Sequence, residues 1–454
     1  MDILKSLVVD LPEDVKKYVM YGDFTRANKL IDIYEKRNIS DLLKQRLNYQ
    51  RHVMNIIKEE YIYSSEEALK MCCEKIKDFS MEELENLKDE RFADWVYIDG
   101  KVMFHKRFLN TILGVCPEIA NRTLKKDKKD QNDEKKQQLL DKVVNEIIEK
   151  GHKSYFIHIK TGIKLNKEAV RKGEKIRVHL PIPKPCKQIK NINIISTNPN
   201  GGFIAPEDCQ QRTVYFEKNV QGEEEFTVEY SYENSMEYNN LDASRVFKNQ
   251  PDFYTGELSP HIVFTPFLKD LAKKIVGEEV NPLIKARKIY DYITTNVQYS
   301  YVRPYAGIIN IPEYAAYNLK GDCGVQALLF ITLCRISGIP ARWQSGLYVN
   351  PHFIGCHDWA QFYIQPYGWI FADLSFGGSA HRKGNTKRWN FYFGNLDPFR
   401  MVANSDFQGE FVPSKNFFRI DPYDNQVGEA EYLDRGLSSK DFSSIMEIID
   451  VHEI

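Results

Sequence analysis

The stretch Gly321-Asp-Cys-Gly-Val-Gln-Ala-Leu-Leu-Phe-Ile-Thr-Leu333 sets Cys323 between two glycines at the head of an apolar segment. Two short blocks follow it. Cys356-His-Asp-Trp-Ala-Gln-Phe-Tyr363 carries His357, and Gly368-Trp-Ile-Phe-Ala-Asp-Leu374 carries Asp373. The apolar run reads as a helix that continues until Gly338-Ile-Pro340, and the two later blocks read as half-buried strands. A cysteine opening a helix, followed by a histidine and an aspartate on successive strands, is the set that a thiol nucleophile needs with its base and orienter.

Only the thiolate attacks, and an unperturbed cysteine has a pKa of roughly 8.5, so such a site must favour ionisation. Placement at a helix N-terminus predicts this, because the dipole and the unpaired N–H groups there favour negative charge. The same N–H groups can stabilise an oxyanion, worth roughly 3–4 kcal/mol per donor in well-characterised hydrolases. The Cys323 amide is the first donor predicted, with a second from the segment Gln298 to Tyr305. His357 would pair with Cys323 as thiolate and imidazolium and then protonate the leaving amine. Asp373 would hold the ring in its productive tautomer.

Outward from this centre, Asn281-Pro282 caps a helix whose Leu283, Ala286, Ile289, Tyr290 and Ile293 share one face, predicted to pack on the cysteine helix. Before it, from Tyr155 to Tyr232, the apolar period changes to two: Ile157 and Ile159, then Ile176, Val178 and Leu180, then Phe226, Val228, Tyr230 and Tyr232. Turn-rich pieces separate these runs, and Pro181, Pro183 and Pro185 end the middle one. The pattern predicts an antiparallel β-sandwich of immunoglobulin-like size, read as a spacer rather than a binding module.

Residues 1 to about 78 read as helices, the first signalled at Asp10 with Pro12 and Glu13 in its first turn. Ser64-x-x-Glu67 and Ser80-x-x-Glu83 match capping boxes, and Asp99-Gly100 between apolar runs signals a tight hairpin. Helices with such a hairpin could form a winged nucleic-acid binder, but no basic recognition helix accompanies them. The run from Lys125 to Lys136 holds both charge signs and no apolar residue, which reads as a solvated helix face or loop. The tail from Asp421 reads as a strap followed by a short amphipathic helix on Phe442, Ile445, Met446 and Ile449.

The organisation expected is therefore multidomain α+β: a helical part with a small hairpin over 1–150, a sandwich over 151–245, a catalytic core over 246–420, and a strap with a short helix over 421–454. A chain of 454 residues can bury several such cores. Lys+Arg 62 against Asp+Glu 63 leaves a net charge of -1, giving no reason to expect nucleic acid or an anionic membrane as partner. The 26 Tyr and 26 Phe suit large packed interfaces. No leader-like h-region and no bilayer-length apolar run is visible, so the expected location is cytoplasmic. The eight cysteines form no C-x-x-C pair, which argues against a zinc ribbon or a disulfide framework.

The three blocks Gly-Asp-Cys-Gly, His-Asp-Trp-Ala and Trp-Ile-Phe-Ala-Asp, in the order Cys, His, Asp, resemble the core of the transglutaminase-like superfamily of cysteine enzymes. The resemblance runs from about Ser259 to Phe376 and extends toward Gly409. It implies a papain-like α+β core with Cys323, His357 and Asp373 as catalytic residues, working through a thioester on a protein or peptide substrate. The superfamily includes peptidases, cross-linkers, deamidating enzymes and peptide N-glycanases. A peptidase or amidase is the favoured reading, with glutamine-directed acyl transfer to an amine as the alternative. No calcium-binding pattern or other cofactor site is visible, which disfavours a metal-dependent cross-linker. An inactive binding protein on the same fold is a further alternative, and loss of a triad member would be its signature.

Other residues invite plainer readings. Cys334, beside Leu333 and Ile336, reads as core packing. Cys356 with His352 lacks further ligands at metal-binding spacing. His381 reads as an exposed loop residue.

Overall fold

The computed structural model describes residues 6–124, 129–420 and 423–454. The charged run from Lys125 begins outside the described residues, as do Met1 to Lys5 and Asp421-Pro422 of the tail. The architecture is multidomain α+β, with an N-terminal helical and β region followed by a β-sandwich and a mixed core.

Five main helices build the N-terminal region: Glu13–Met20, Phe24–Glu35, Asp41–Glu60, Ser65–Lys75 and Met81–Asp89. The first starts three residues after the Asp10 signal, with Pro12 as its N-cap. Ser64 and Glu67 form both halves of a capping box, and Ser80 accepts from the Glu83 amide. The Asp99-Gly100 turn has both residues at positive φ, 47° and 84°, and joins Trp95–Ile98 to Lys101–His105. Such a turn matches the twist of a two-residue hairpin. A third strand, Tyr61–Ser64, pairs with the second arm of that hairpin. It is too short to carry a readable period.

The sandwich consists of two four-stranded sheets. One pairs Glu429–Tyr432, Lys175–Pro181, Thr213–Asn219 and Phe203–Ile204; the other pairs Phe442–Glu453, His152–Leu165, Glu225–Glu237 and Ile189–Asn198. The apolar positions read from the sequence, from Ile157 to Tyr232, face inward and are fully buried. Each sheet thus takes one strand from the C-terminus. This corrects the expected strap and short helix: 442–453 is a strand paired with His152–Leu165 along its length. The misreading has a physical cause. The strand lies at the sheet edge, its Ile445 and Met446 are half-buried and its Ile449 is exposed, so burial does not confine its apolar residues to alternate positions. Deleting 442–454 should lower stability by on the order of 2–3 kcal/mol, from lost burial of Phe442 and its neighbours. It should also promote self-association through the bared edge. Thermal unfolding and light scattering of the truncated chain check both.

The helix Lys129–Lys150 sits apart from the small N-terminal cores. Its Leu140, Val143, Val144 and Ile147 join the large core shared by the sandwich and the α+β region that follows it. That region holds a five-stranded antiparallel sheet in the order Phe393–Gly394, Gly368–Ala372, Phe353–Ile364, Ala341–Asn350, Arg400–Asn404. The cysteine helix Cys323–Ile336 packs on it, with Phe330 against Phe362. Helix Pro282–Asn296 is capped by Asn281 and buries Leu283, Ala286, Ile289, Tyr290 and Ile293, as its spacing predicts.

Candidate active site

Asp322 is the N-cap of the cysteine helix, its carboxylate accepting from the Val325 amide at 3.0 Å. Gln326 closes the preceding turn by donating to the Gly321 carbonyl at 2.9 Å. The two glycines are needed for room. A Cβ on Gly324 would lie 2.1 Å from the Tyr305 hydroxyl and 2.9 Å from Asp358 Oδ2; one on Gly321 would lie 2.3 Å from Val325 Cγ1. Neither has a positive φ. The helix ends as read: Cys334 is fully buried in the core, and Gly338 adopts φ 76° beyond the last turn.

Leading into Cys323, the two-residue strand Lys320–Gly321 pairs in parallel with Gln298–Tyr299, and Ser300 N–H donates to the Gly321 carbonyl. The segment proposed from sequence for a second oxyanion donor therefore lies beside the cysteine. Tyr305 donates its hydroxyl to Asp322 at 2.7 Å. Tyr299 keeps its phenolic proton, because burial and the neighbouring Cys323 and Asp322 raise its pKa. The Cys323 amide itself has no partner among the described residues.

His357 and Asp373 meet. Nε2 of His357 lies 2.7 Å from Asp373 Oδ2, and both side chains are buried. Asp373 caps the helix Leu374–Arg382 through the Phe376 amide at 3.0 Å, which fixes its other oxygen. Arg400 donates from Nη2 to Asp373 Oδ2 at 2.6 Å and pairs through Nη1 with Asp397 at 2.6 Å. Burial would raise the Asp373 pKa, but His357 and Arg400 outweigh it and hold the carboxyl ionised. Burial also lowers the His357 pKa against the pull of Asp373, so the ring is neutral near neutral pH. A neutral ring donating Nε2–H to Asp373 leaves Nδ1 as the basic nitrogen.

The thiol differs from the sequence expectation. Cys323 Sγ donates to Asp358 Oδ2 at 3.2 Å, and no hydrogen bond joins it to the imidazole among the described residues. Adjacent strand residues point to opposite faces, so Asp358 turns toward the cysteine helix while His357 faces Tyr348 and Phe376. Burial, then Asp358 and Asp322, push the thiol pKa well above its ordinary value. The expected thiolate–imidazolium pair is replaced by a neutral thiol and a neutral imidazole. Helix-dipole stabilisation loses to desolvation and two nearby carboxyls. Asp358 carries no sequence signal beyond adjacency to His357, and Arg400 lies on a strand with no motif of its own.

A cavity of about 330 Å³ opens beside His357, bounded by Tyr299, Phe353, Cys356, Phe376, Arg382 and Arg388 among others. Lys136, from the end of the charged run, lies over the Phe353 ring at 4.5 Å and the Tyr348 ring at 5.2 Å. It is thus a wall of this cavity rather than part of a purely solvated face. On the other side of Asp322 a second cavity, of about 290 Å³, lies between the N-terminal region and the core, with Arg107 stacked 4.7 Å over Tyr301. His381 is not on a loop: it occupies the last turn of Leu374–Arg382, 4.7 Å from the Trp389 ring. Among the described residues no cluster of three or more His, Cys, Asp or Glu could hold a metal ion, and no helix is long and apolar enough to cross a membrane.

Residues 269–374 match the sequence family described as the Transglutaminase-like superfamily, which supports membership for this part of the chain. An uncharacterized protein of Haemophilus influenzae is 26% identical over 196 residues, covering 35% of this chain and 53% of that protein. The chain thus spans about half the length of the curated relative it matches. A Cytophaga hutchinsonii protein, solved as a candidate cysteine protease, superposes with a TM-score of 0.43 at 15% identity, over 67% of this chain and 91% of that one. The periplasmic domain of TgpA from Pseudomonas aeruginosa gives a TM-score of 0.28 at 12% identity, over 54% and 95% respectively.

Proposed function

We propose that the protein is a cysteine-nucleophile enzyme that opens an amide bond through a Cys323 thioester and passes the acyl group to water, a peptidase or amidase. The observation that carries the reading is the buried 2.7 Å His357–Asp373 pair, set on the strand whose next residue holds the cysteine thiol. In this reading the imidazole is brought to the Asp358 face of its strand, and Sγ then leaves Asp358 and gives its proton to Nδ1 of His357 as it attacks the carbonyl carbon. The carbonyl oxygen takes the negative charge and is met by the Cys323 amide, with the Tyr299 hydroxyl as the second donor. Collapse breaks the C–N bond, and the imidazolium protonates the departing amine. Water, deprotonated by Nδ1, then cleaves the thioester and returns the thiol.

Hydrolysis and transfer part on one experiment. A glutamine peptide incubated with a labelled primary amine should release ammonia or be cleaved without taking up label. Stoichiometric uptake would assign transfer instead, and no reaction in either channel across a peptide library would sink the catalytic reading.

The pH dependence follows from the neutral resting pair. The productive ground state needs His357 neutral, and its pKa is depressed by burial. The acid limb of kcat/KM should therefore lie below about 6.5, the ordinary histidine value. A limb at or above that value would show that the ring is not buried as described.

A further inference from the structure

The C-terminal segment returns past the active site before joining the sandwich, and it places two side chains against Asp358. Gln426 donates from Nε2 to Asp358 Oδ1 and to the His357 carbonyl, the latter at 3.2 Å. Asp424 is brought beside Asp358, because the Ser345 hydroxyl from which it accepts stands opposite Asp358 in the register of the two strands. Asp424 is itself fixed by the Ser345 hydroxyl and by Asn404 Nδ2, the latter at 2.7 Å. Both carboxyls are buried, Asp358 at 7% and Asp424 at 6% exposure. Two adjoining carboxyls away from water resist ionising together, so the pair holds one proton between them. Asp358 Oδ2 is left to accept the Cys323 S–H.

We propose that Asp358 is a positioning residue for the nucleophile: with Asp424 and Gln426 of the C-terminal segment, it holds the Cys323 thiol protonated and unreactive until the sulfur is handed to His357. The other groups facing this centre are consistent with that role. Asp322 stands at the helix cap, and Tyr299 and Tyr305 come from the preceding segment, each retaining its proton. Of the cations nearby, Arg107 acts on Asp322 and Arg419 on Asp424. No cation touches the sulfur among the described residues. Burial and the two nearby aspartates raise the thiol pKa, and the Asp358 N–H toward the sulfur is a weaker opposing effect. Asp424 and Gln426 follow Cys323 by 101 and 103 residues in sequence.

The inference builds on the reading of Cys323 as nucleophile, yet it can be tested without turnover. Iodoacetamide labelling of the full chain is followed against pH, with peptide mass spectrometry to read Cys323 apart from the other cysteines. Asp358→Asn removes the charge and offers the sulfur a donor, so its alkylation midpoint should fall by about one pH unit, roughly tenfold faster labelling near neutral pH. Asp424→Asn should behave oppositely. Without its partner Asp358 ionises alone, the negative charge settles nearer the sulfur, and the midpoint stays or rises. A merely structural role would loosen the site in both variants and shift both midpoints down. Any pattern other than a fall for Asp358→Asn without one for Asp424→Asn overturns the proposal. Should Asp358→Asn not fold, Asp358→Ser also removes the charge and is read the same way. A chain that cleaves no amide still gives these profiles, so failure of the hydrolase reading is seen separately.

Discussion

Cys323→Ala is expected to remove amide cleavage, with kcat/KM falling by roughly 10⁴-fold or more, while the fold stays intact. The side chain is half-buried and its thiol donates to Asp358, so the alanine leaves a small gap and frees one carboxyl oxygen. An activated ester such as p-nitrophenyl acetate serves as reporter, because its acylation burst needs only a nucleophile and not the native substrate. The burst should vanish in Cys323→Ala and persist in Cys356→Ala. The second variant is the sharper control. Cys356 is exposed, lies next to His357 in sequence and lines the same cavity, so it is the rival thiol. It stands within the strand Phe353–Ile364, without the helix N-terminus that Cys323 occupies. A burst that survives in Cys323→Ala and is lost in Cys356→Ala would move the nucleophile by a strand and overturn the mechanism.

What the sequence made legible follows from how local each signal is. The cysteine helix could be read because its cap, its apolar run and its glycine stop all lie within one short stretch. The His357–Asp373 pair could be read because successive strands of an antiparallel sheet bring neighbouring blocks together. The resting state of the thiol could not. It depends on Asp358 facing the cysteine helix, and on Asp424 and Gln426 arriving from a tail whose apolar spacing imitates a helix. Ionisation is decided by such distant contacts: the helix dipole is visible in the sequence, whereas the desolvation and the opposing carboxyls appear only once the chain is packed. Arg400 was hidden for the same reason, since nothing near it in sequence signals that its guanidinium bridges Asp373 and Asp397.

Arg400→Met is expected to destabilise the protein by about 3–5 kcal/mol. Arg400 is 1% exposed and joins two fully buried carboxylates, Asp373 and Asp397. Its guanidinium also lies 4.5 Å from the Phe376 ring and 5.5 Å from that of Tyr392. Methionine fills similar volume among those rings but leaves both carboxylates without their cation. Asp397 keeps the Tyr392 hydroxyl at 2.8 Å, and Asp373 keeps His357, so the loss is of compensation and not of every hydrogen bond. The sign of the pH dependence follows. In the parent chain Asp373 has a depressed pKa, so its stabilising contribution is present above the unfolded carboxyl value of about 3.9 and is lost as pH falls through the lower folded value. In the variant Asp373 loses the Arg400 charge, its pKa moves upward, and less of its stabilising contribution is gained as pH rises. The gap between the two proteins should widen from acid toward neutral pH, as read by thermal unfolding across that range. Arg400→Lys retains one positive charge but cannot bridge both carboxylates with a planar fork, so it should recover only part of the loss. A gap that is constant with pH would mean that Arg400 contributes packing alone, and the ionised state assigned to Asp373 would then have to rest on His357.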